Sequence, residues 1–173
     1  MRILGVDPGF AIVGCGIVDY IGNKFSTVHY SAVTTKSGVK LEHRLKSIYD
    51  GISDMIDTYK PDCLAVEELF FNTNAKTAIQ VGQARGVILL AAEKLGVPVF
   101  EYTPMQVKQA VVGYGAAQKR QVMLMTQRLL GMKEVPKPDD AADALAIAIC
   151  HSRSATSLMN TERVFDANKY DTR

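Results

Sequence analysis

The chain has 173 residues, 47% of them hydrophobic, and a formal charge of +2. That length suits one domain with a core of its own, and the apolar fraction excludes wholesale disorder. So small a net charge excludes a uniformly basic surface, so any nucleic-acid contact must come from a local excess. Three cysteines, Cys15, Cys63 and Cys150, lie far apart with no C-x-x-C pair, which argues against a disulfide framework or thiolate zinc site and for a reducing compartment. Strand-like sequence begins almost at Met1, and no apolar run reaches about 18 residues, so neither a signal peptide nor a membrane span is expected. The expected location is the cytoplasm.

Arg2 to Val6 reads as a short buried strand stopped by the turn Asp7-Pro8-Gly9. Ala11 to Tyr20 and Lys24 to Thr35 read as two further strands joined by a hairpin turn, giving an antiparallel meander. Apolar residues at three- and four-residue steps from Leu41 to Tyr59 predict an amphipathic helix ended by Lys60-Pro61. Cys63 to Val66 is a buried strand, Asn74 to Leu95 a long helix closed by Gly96, and Val97 to Tyr102 another strand. Helices are predicted over Pro104 to Val112, Ala117 to Leu130, and Asp139 to about Arg153. The last is nearly all Ala, Leu and Ile beyond its first turn and should be buried. The expected organisation is one α/β domain over residues 1–153, with a polar, disordered tail over 154–173. Its mixed central sheet carries helices on both faces, and a right-handed crossover makes the first and fourth strands parallel neighbours.

That topology gives four carboxylates a meeting point. Asp7 ends the first strand and Glu67 the fourth, and alternation puts Ile3, Gly5 and Asp7 on one face and Cys63, Ala65 and Glu67 on one face. The small residues Gly5 and Ala65 are expected to leave room beside the acids. Asp140 and Asp143 are three apart on one helix face. Asp143 stands among alanines that favour burial, where an unpaired carboxylate would cost several kcal/mol, so a cation is its expected partner. Each acid has a plainer reading: a turn former for Asp7, a helix cap for Asp139 or Asp140, solvated strand ends for Glu67 and Glu68, a salt bridge for Asp143. Oxygen-only ligands favour magnesium or manganese over zinc, and a pair of such ions suits phosphodiester chemistry. His29, His43 and His151 form no metal-spaced pair.

Five motifs, in order, resemble the RuvC family of Holliday junction resolvases: Ile3-Leu4-Gly5-Val6-Asp7-Pro8-Gly9, Ala65-Val66-Glu67, Gly82-Gln83-Ala84-Arg85-Gly86, Val107-Lys108-Gln109, and Asp140-Ala141-Ala142-Asp143-Ala144-Leu145-Ala146. They span roughly residues 1–150. The resemblance implies an RNase H-like fold and a homodimer. It also implies symmetric, magnesium-dependent cutting of two opposed strands of a four-way DNA junction, leaving 5′-phosphate and 3′-hydroxyl ends, in recombination and repair. It places catalysis and metal binding (Mg2+, two ions per site, with Mn2+ as substitute) on Asp7, Glu67, Asp140 and Asp143. A branch-migration motor as partner is implied by the family alone.

From Glu101 to Asp139 the chain carries Lys108, Lys119, Arg120, Arg128, Lys133 and Lys137, a local excess suited to phosphates, although solvated helix faces explain some of them. Lys108 and Lys119 match family positions tied to DNA contact or catalysis, and Arg120 is placed beside them as a DNA contact. Phe70 and Phe71 read as core anchors, but Phe70 matches a family aromatic that stacks on unpaired bases. Ala78, Gly82 and Gly86 form a small-residue stripe that fits either intrachain packing or, as the resemblance implies, a dimer interface. Three other readings compete: an RNase H-like enzyme acting on RNA or other DNA branches, a phosphate-binding ATPase or sugar-kinase relative, and a non-cleaving junction-binding module. The second predicts another Asp-Gly phosphate loop and a much longer chain, and the sequence shows neither; the third needs no buried Asp143.

Overall fold

The computed structural model describes residues 1–68 and 75–160; for 75–77 and 156–160 only the backbone is described. Five strands, β1 (Arg2–Asp7), β2 (Ile12–Ile21), β3 (Lys24–Thr34), β4 (Cys63–Glu67) and β5 (Val99–Tyr102), form one sheet in the order β3-β2-β1-β4-β5. The first three are the expected antiparallel meander, and β4 and β5 join it in parallel. The hairpin turns on Gly22 and Asn23, both with positive φ, the backbone that a tight two-residue turn requires.

Alternation along the strands feeds two cores. Leu4, Val6, Val13, Cys15 and Ile17 point to one face, where α1 (Leu41–Tyr59) adds Ile48, Ile52 and Ile56, and α2 (Ala75–Lys94) adds Ala84, Ile88 and Ala91. Ile3, Val18, Cys63 and Ala65 point to the other, beneath α3 (Pro104–Val112), α4 (Lys119–Leu129) and α5 (Asp139–Asn160). The mixed sheet with helices on both faces is therefore as expected. Helix α5 continues past Arg153 to Asn160, and the rest of the predicted tail lies outside the described residues.

The seating of α5 depends on three glycines. Gly5 pairs with Gly16 across β1 and β2, and Gly14 pairs with Asp7. A Cβ at Gly5 would lie 2.0 Å from the Ala144 carbonyl oxygen, one at Gly14 2.0 Å from that of Asp140, and one at Gly16 2.8 Å from the Leu145 side chain. The helix backbone thus rests directly on the sheet. This corrects the expected role of Gly5: the missing side chain makes room for α5 rather than for the acid two residues on.

A methyl group at Gly14 meets backbone that cannot swing aside. Gly14→Ala should destabilise the protein by about 1–3 kcal/mol, as overpacking does, with urea unfolding in metal-free buffer as the measurement. An unchanged midpoint would mean that α5 is not held at this height by the glycine.

Candidate active site

Asp7 and Glu67 end the neighbouring parallel strands β1 and β4, one position beyond the paired Val6 and Val66. Both line a cavity of about 240 Å³, together with Pro104, Val107 and Lys108 of α3, Lys119 and Val122 of α4, and Asp143 and Ala146 of α5. Asp140 is not among the lining residues, but it lies near enough to raise the pKa of Asp7. Three chain segments far apart in sequence thus bring the four predicted acids to one end of the sheet.

Two strand ends and a helix start force like charges together with little water. Burial pushes the Asp7 carboxyl up to about 7, helped by Glu67, Asp143 and Asp140 in that order and opposed by Lys119. Burial also raises Glu67, with Asp143 adding to the effect and Lys108 and Lys119 opposing it. Asp143 is a correction. Its side chain is 29% exposed, and it turns from the alanines toward the cavity, where its Oδ2 lies 2.8 Å from Lys119 Nζ. The salt bridge that was the plainer reading is what forms, and it raises the Lys119 pKa. The acids that burial perturbs are Asp7 and Glu67.

Asp139 does not cap α5 with its side chain in any described bond; the Pro138 carbonyl accepts from Ala141 N and Ala142 N. Asp139 lies in the first turn instead, 4.0 Å from Lys119 Nζ. Glu68 donates its backbone N–H to Tyr102 and does not line the cavity. His151 is buried away from the acids, its Nδ1 2.7 Å from the Tyr102 hydroxyl, and burial lowers its pKa to about 4. Arg120 is exposed beside Lys119 and does not line the cavity. Phe70 lies outside the described residues.

Sequence reasoning did not anticipate how the two lysine-bearing helices are fixed. Helix α3 starts at a capping box in which Thr103 Oγ1 accepts from Gln106 N and Gln106 Oε1 from Thr103 N. Gln121 Oε1 likewise accepts from Gln118 N at the start of α4. The Thr-x-x-Gln spacing was the available signal for the first. Both first turns face the cavity with Pro104 and Lys119, so their positive dipole ends add to the lysine charges.

Among the described residues, no three or more Asp, Glu, His or Cys side chains close into a cage for an ion. The donors nevertheless suit a hard divalent cation: they are carboxylates, they share a cavity, and Asp7 is penalised for being charged there without one. The family model described as crossover junction endodeoxyribonuclease RuvC matches residues 3–151. A curated relative of that description from Brevibacillus brevis is 56% identical over 164 residues, covering 95% of this chain and 99% of the relative.

The chain belongs to the RuvC family.

Another RuvC, from Desulforamulus reducens, is 56% identical over 153 residues, covering 88% of this chain and 94% of its own. Among solved structures, Thermus thermophilus RuvC in complex with Holliday junction substrate superposes with a TM-score of 0.87 at 40% identity, covering 91% of this chain and 96% of that one. All the RuvC motifs read in the sequence fall within the matched region.

The raised Asp7 pKa has a consequence for stability. An Asp of the unfolded chain titrates near about 4, so between about pH 4 and 7 the folded state holds a proton that the unfolded state has released. Stability is then greatest at the acid end of that window and falls as pH rises through it. Metal-free protein should melt at a lower temperature at about pH 8 than at about pH 5, and Asp7→Asn should raise the value at pH 8 and flatten the decline. A wild-type profile that is flat or rises with pH would contradict the desolvation of Asp7.

Proposed function

We propose that this RuvC-family chain is an endodeoxyribonuclease that resolves four-way DNA junctions. It would cut two opposed strands symmetrically and leave 5′-phosphate and 3′-hydroxyl ends, in recombination and repair in the cytoplasm. The observation that carries the reading is one cavity lined by Asp7, Glu67 and Asp143, with Asp140 near enough to raise the Asp7 pKa and Lys108 and Lys119 on the cavity wall. The junction as substrate rests on family membership, since the cavity by itself explains phosphodiester cutting on any strand that reaches it. Three free cysteines, all buried, suit a reducing location, and no described helix is long and apolar enough to cross a membrane.

Asp7, Glu67, Asp140 and Asp143 would hold magnesium, with manganese as a substitute and two ions per site. Such ions, when bound, supply Lewis acidity toward the phosphodiester and ease deprotonation of water. The protein's own part is positional and electrostatic. The sheet fixes Asp7 and Glu67, α5 carries Asp140 and Asp143, and the lysines place positive charge where the transition state gains negative charge. Lys119 would have a double role: its ammonium pairs with Asp143 at 2.8 Å, and it would offer the same positive charge to a phosphate in the cavity.

The chain would act as a homodimer through α2. Gly82 and Gly86 have nothing within 4 Å of a built Cβ, and Ile79 and Leu90, on the same face, are 63% and 52% exposed. The core-facing side of α2 is the opposite one, with Ala84, Ile88 and Ala91. Among the described residues, intrachain packing therefore does not account for Gly82 and Gly86 of the stripe Ala78, Gly82 and Gly86. An exposed apolar face with room for backbone approach fits a second copy, and two-fold symmetry would present two cavities to two like strands.

With magnesium, the purified protein should nick synthetic four-way junctions in symmetric positions and leave linear duplex nearly untouched; equal cutting of both would refute the junction reading. Asp7→Asn, Glu67→Gln, Asp140→Asn and Asp143→Asn should each lower cutting by more than about a hundredfold, beyond the loss seen for outer-sphere changes. Junction binding in EDTA should persist, and its loss in all four would make the acids structural. Sedimentation at micromolar concentration should give a dimer that Gly86→Arg converts to monomer; a monomeric wild type would remove α2 as the interface.

A further inference from the structure

Tyr114 sits between Gly113 and Gly115 in the turn from α3 to α4, the two helices whose lysines line the cavity, with 45% of its surface exposed. Its hydroxyl donates to Gln121 Oε1 at 2.8 Å, the same oxygen that accepts the N–H of Gln118 at the start of α4. The ring is thus tethered to the first turn of the helix whose Lys119 and Val122 line the cavity. A Cβ at Gly115 would fall 2.5 Å from Met105 Cγ, so Met105 folds against this turn. Met105 is 68% exposed and directly follows the cavity-lining Pro104.

Single exposed apolar residues are ordinary. Here two lie at one turn between cavity-lining helices, and one is an aromatic whose hydroxyl is held by a hydrogen bond. Burial elsewhere in α3 is supplied by Val107 and Val111, so the core does not require either. The cavity wall carries Lys108 and Lys119, and a strand whose phosphate enters the cavity brings its neighbouring nucleotides past the helices that hold these lysines.

We propose that Tyr114 is a stacking platform for a nucleobase next to the phosphate in the cavity, with Met105 extending the apolar surface. This rests on the reading of DNA as the substrate. Lysines hold the backbone through charge, whereas an aromatic face holds a base through stacking, so the two contributions respond differently to salt.

The test is binding of a fluorescently labelled four-way junction to the full chain in EDTA, over a range of salt concentrations. Tyr114→Ala and Tyr114→Leu should each weaken binding about five- to hundredfold, the range that loss of one stacked base gives. Tyr114→Phe should stay within about twofold of wild type, and the salt slope should be unchanged in all three. Equal affinity for wild type and Tyr114→Leu would overturn the proposal, whatever the folding of Tyr114→Ala, because the apolar bulk would then suffice. A reduced salt slope in the variants would also overturn it, by making Tyr114 a support for phosphate contacts. If wild type itself neither binds nor cuts junctions, the proposed function fails instead, and the two failures are told apart by that control.

Discussion

The contact on which the site depends is the direct seating of α5 on the strand backbones of β1 and β2. Gly5, Gly14 and Gly16 lie where any side chain would collide with the helix, and Ala141, Ala144 and Ala148 answer them from above with almost no exposure. At this height the first turn of α5 reaches the end of β1, so Asp140 and Asp143 meet Asp7 and Glu67. A bulkier layer between helix and sheet would pack a core well enough but would separate the acids. Close packing here serves placement as much as stability.

Placement has an electrostatic cost. Four carboxylates at one end of a sheet repel one another, and burial takes away the water that would screen Asp7. The fold offsets part of this through Lys119, which bridges to Asp143, and Lys108, which favours the charged form of Glu67. What remains is a site that gains from a divalent cation. Functional sites commonly keep such unrelieved strain or charge, whereas the rest of a chain is locally consistent.

Much of this was legible in the sequence. The turn at Asp7-Pro8-Gly9, the helical period from Leu41 to Tyr59, and the breaks at Lys60 and Gly96 placed the elements to within a few residues. From element order alone, the crossover rule made β1 and β4 neighbours, and so joined Asp7 to Glu67. Composition misled where direction mattered. The alanines around Asp143 suggested a buried acid, but a helix position between buried neighbours can still project from the edge of the buried face, and Lys119 meets it there. Gly5 was legible as small but not as a helix seat, because its contact, Ala144, lies far along the chain. The two alternatives for the α2 stripe could not be separated in the sequence, because the spacing of small residues is the same whether the helix packs on its own sheet or on a second copy.

The seated helix leaves Asp7 desolvated among like charges, in need of a cation. Carbon-detected NMR of the Asp7 carboxyl group, followed over pH, tests this most directly. In metal-free protein the group should titrate near about 7, and saturating magnesium should move the titration well into the acid range. Titration near the ordinary value of about 4 without metal, unmoved by magnesium, would contradict the claim.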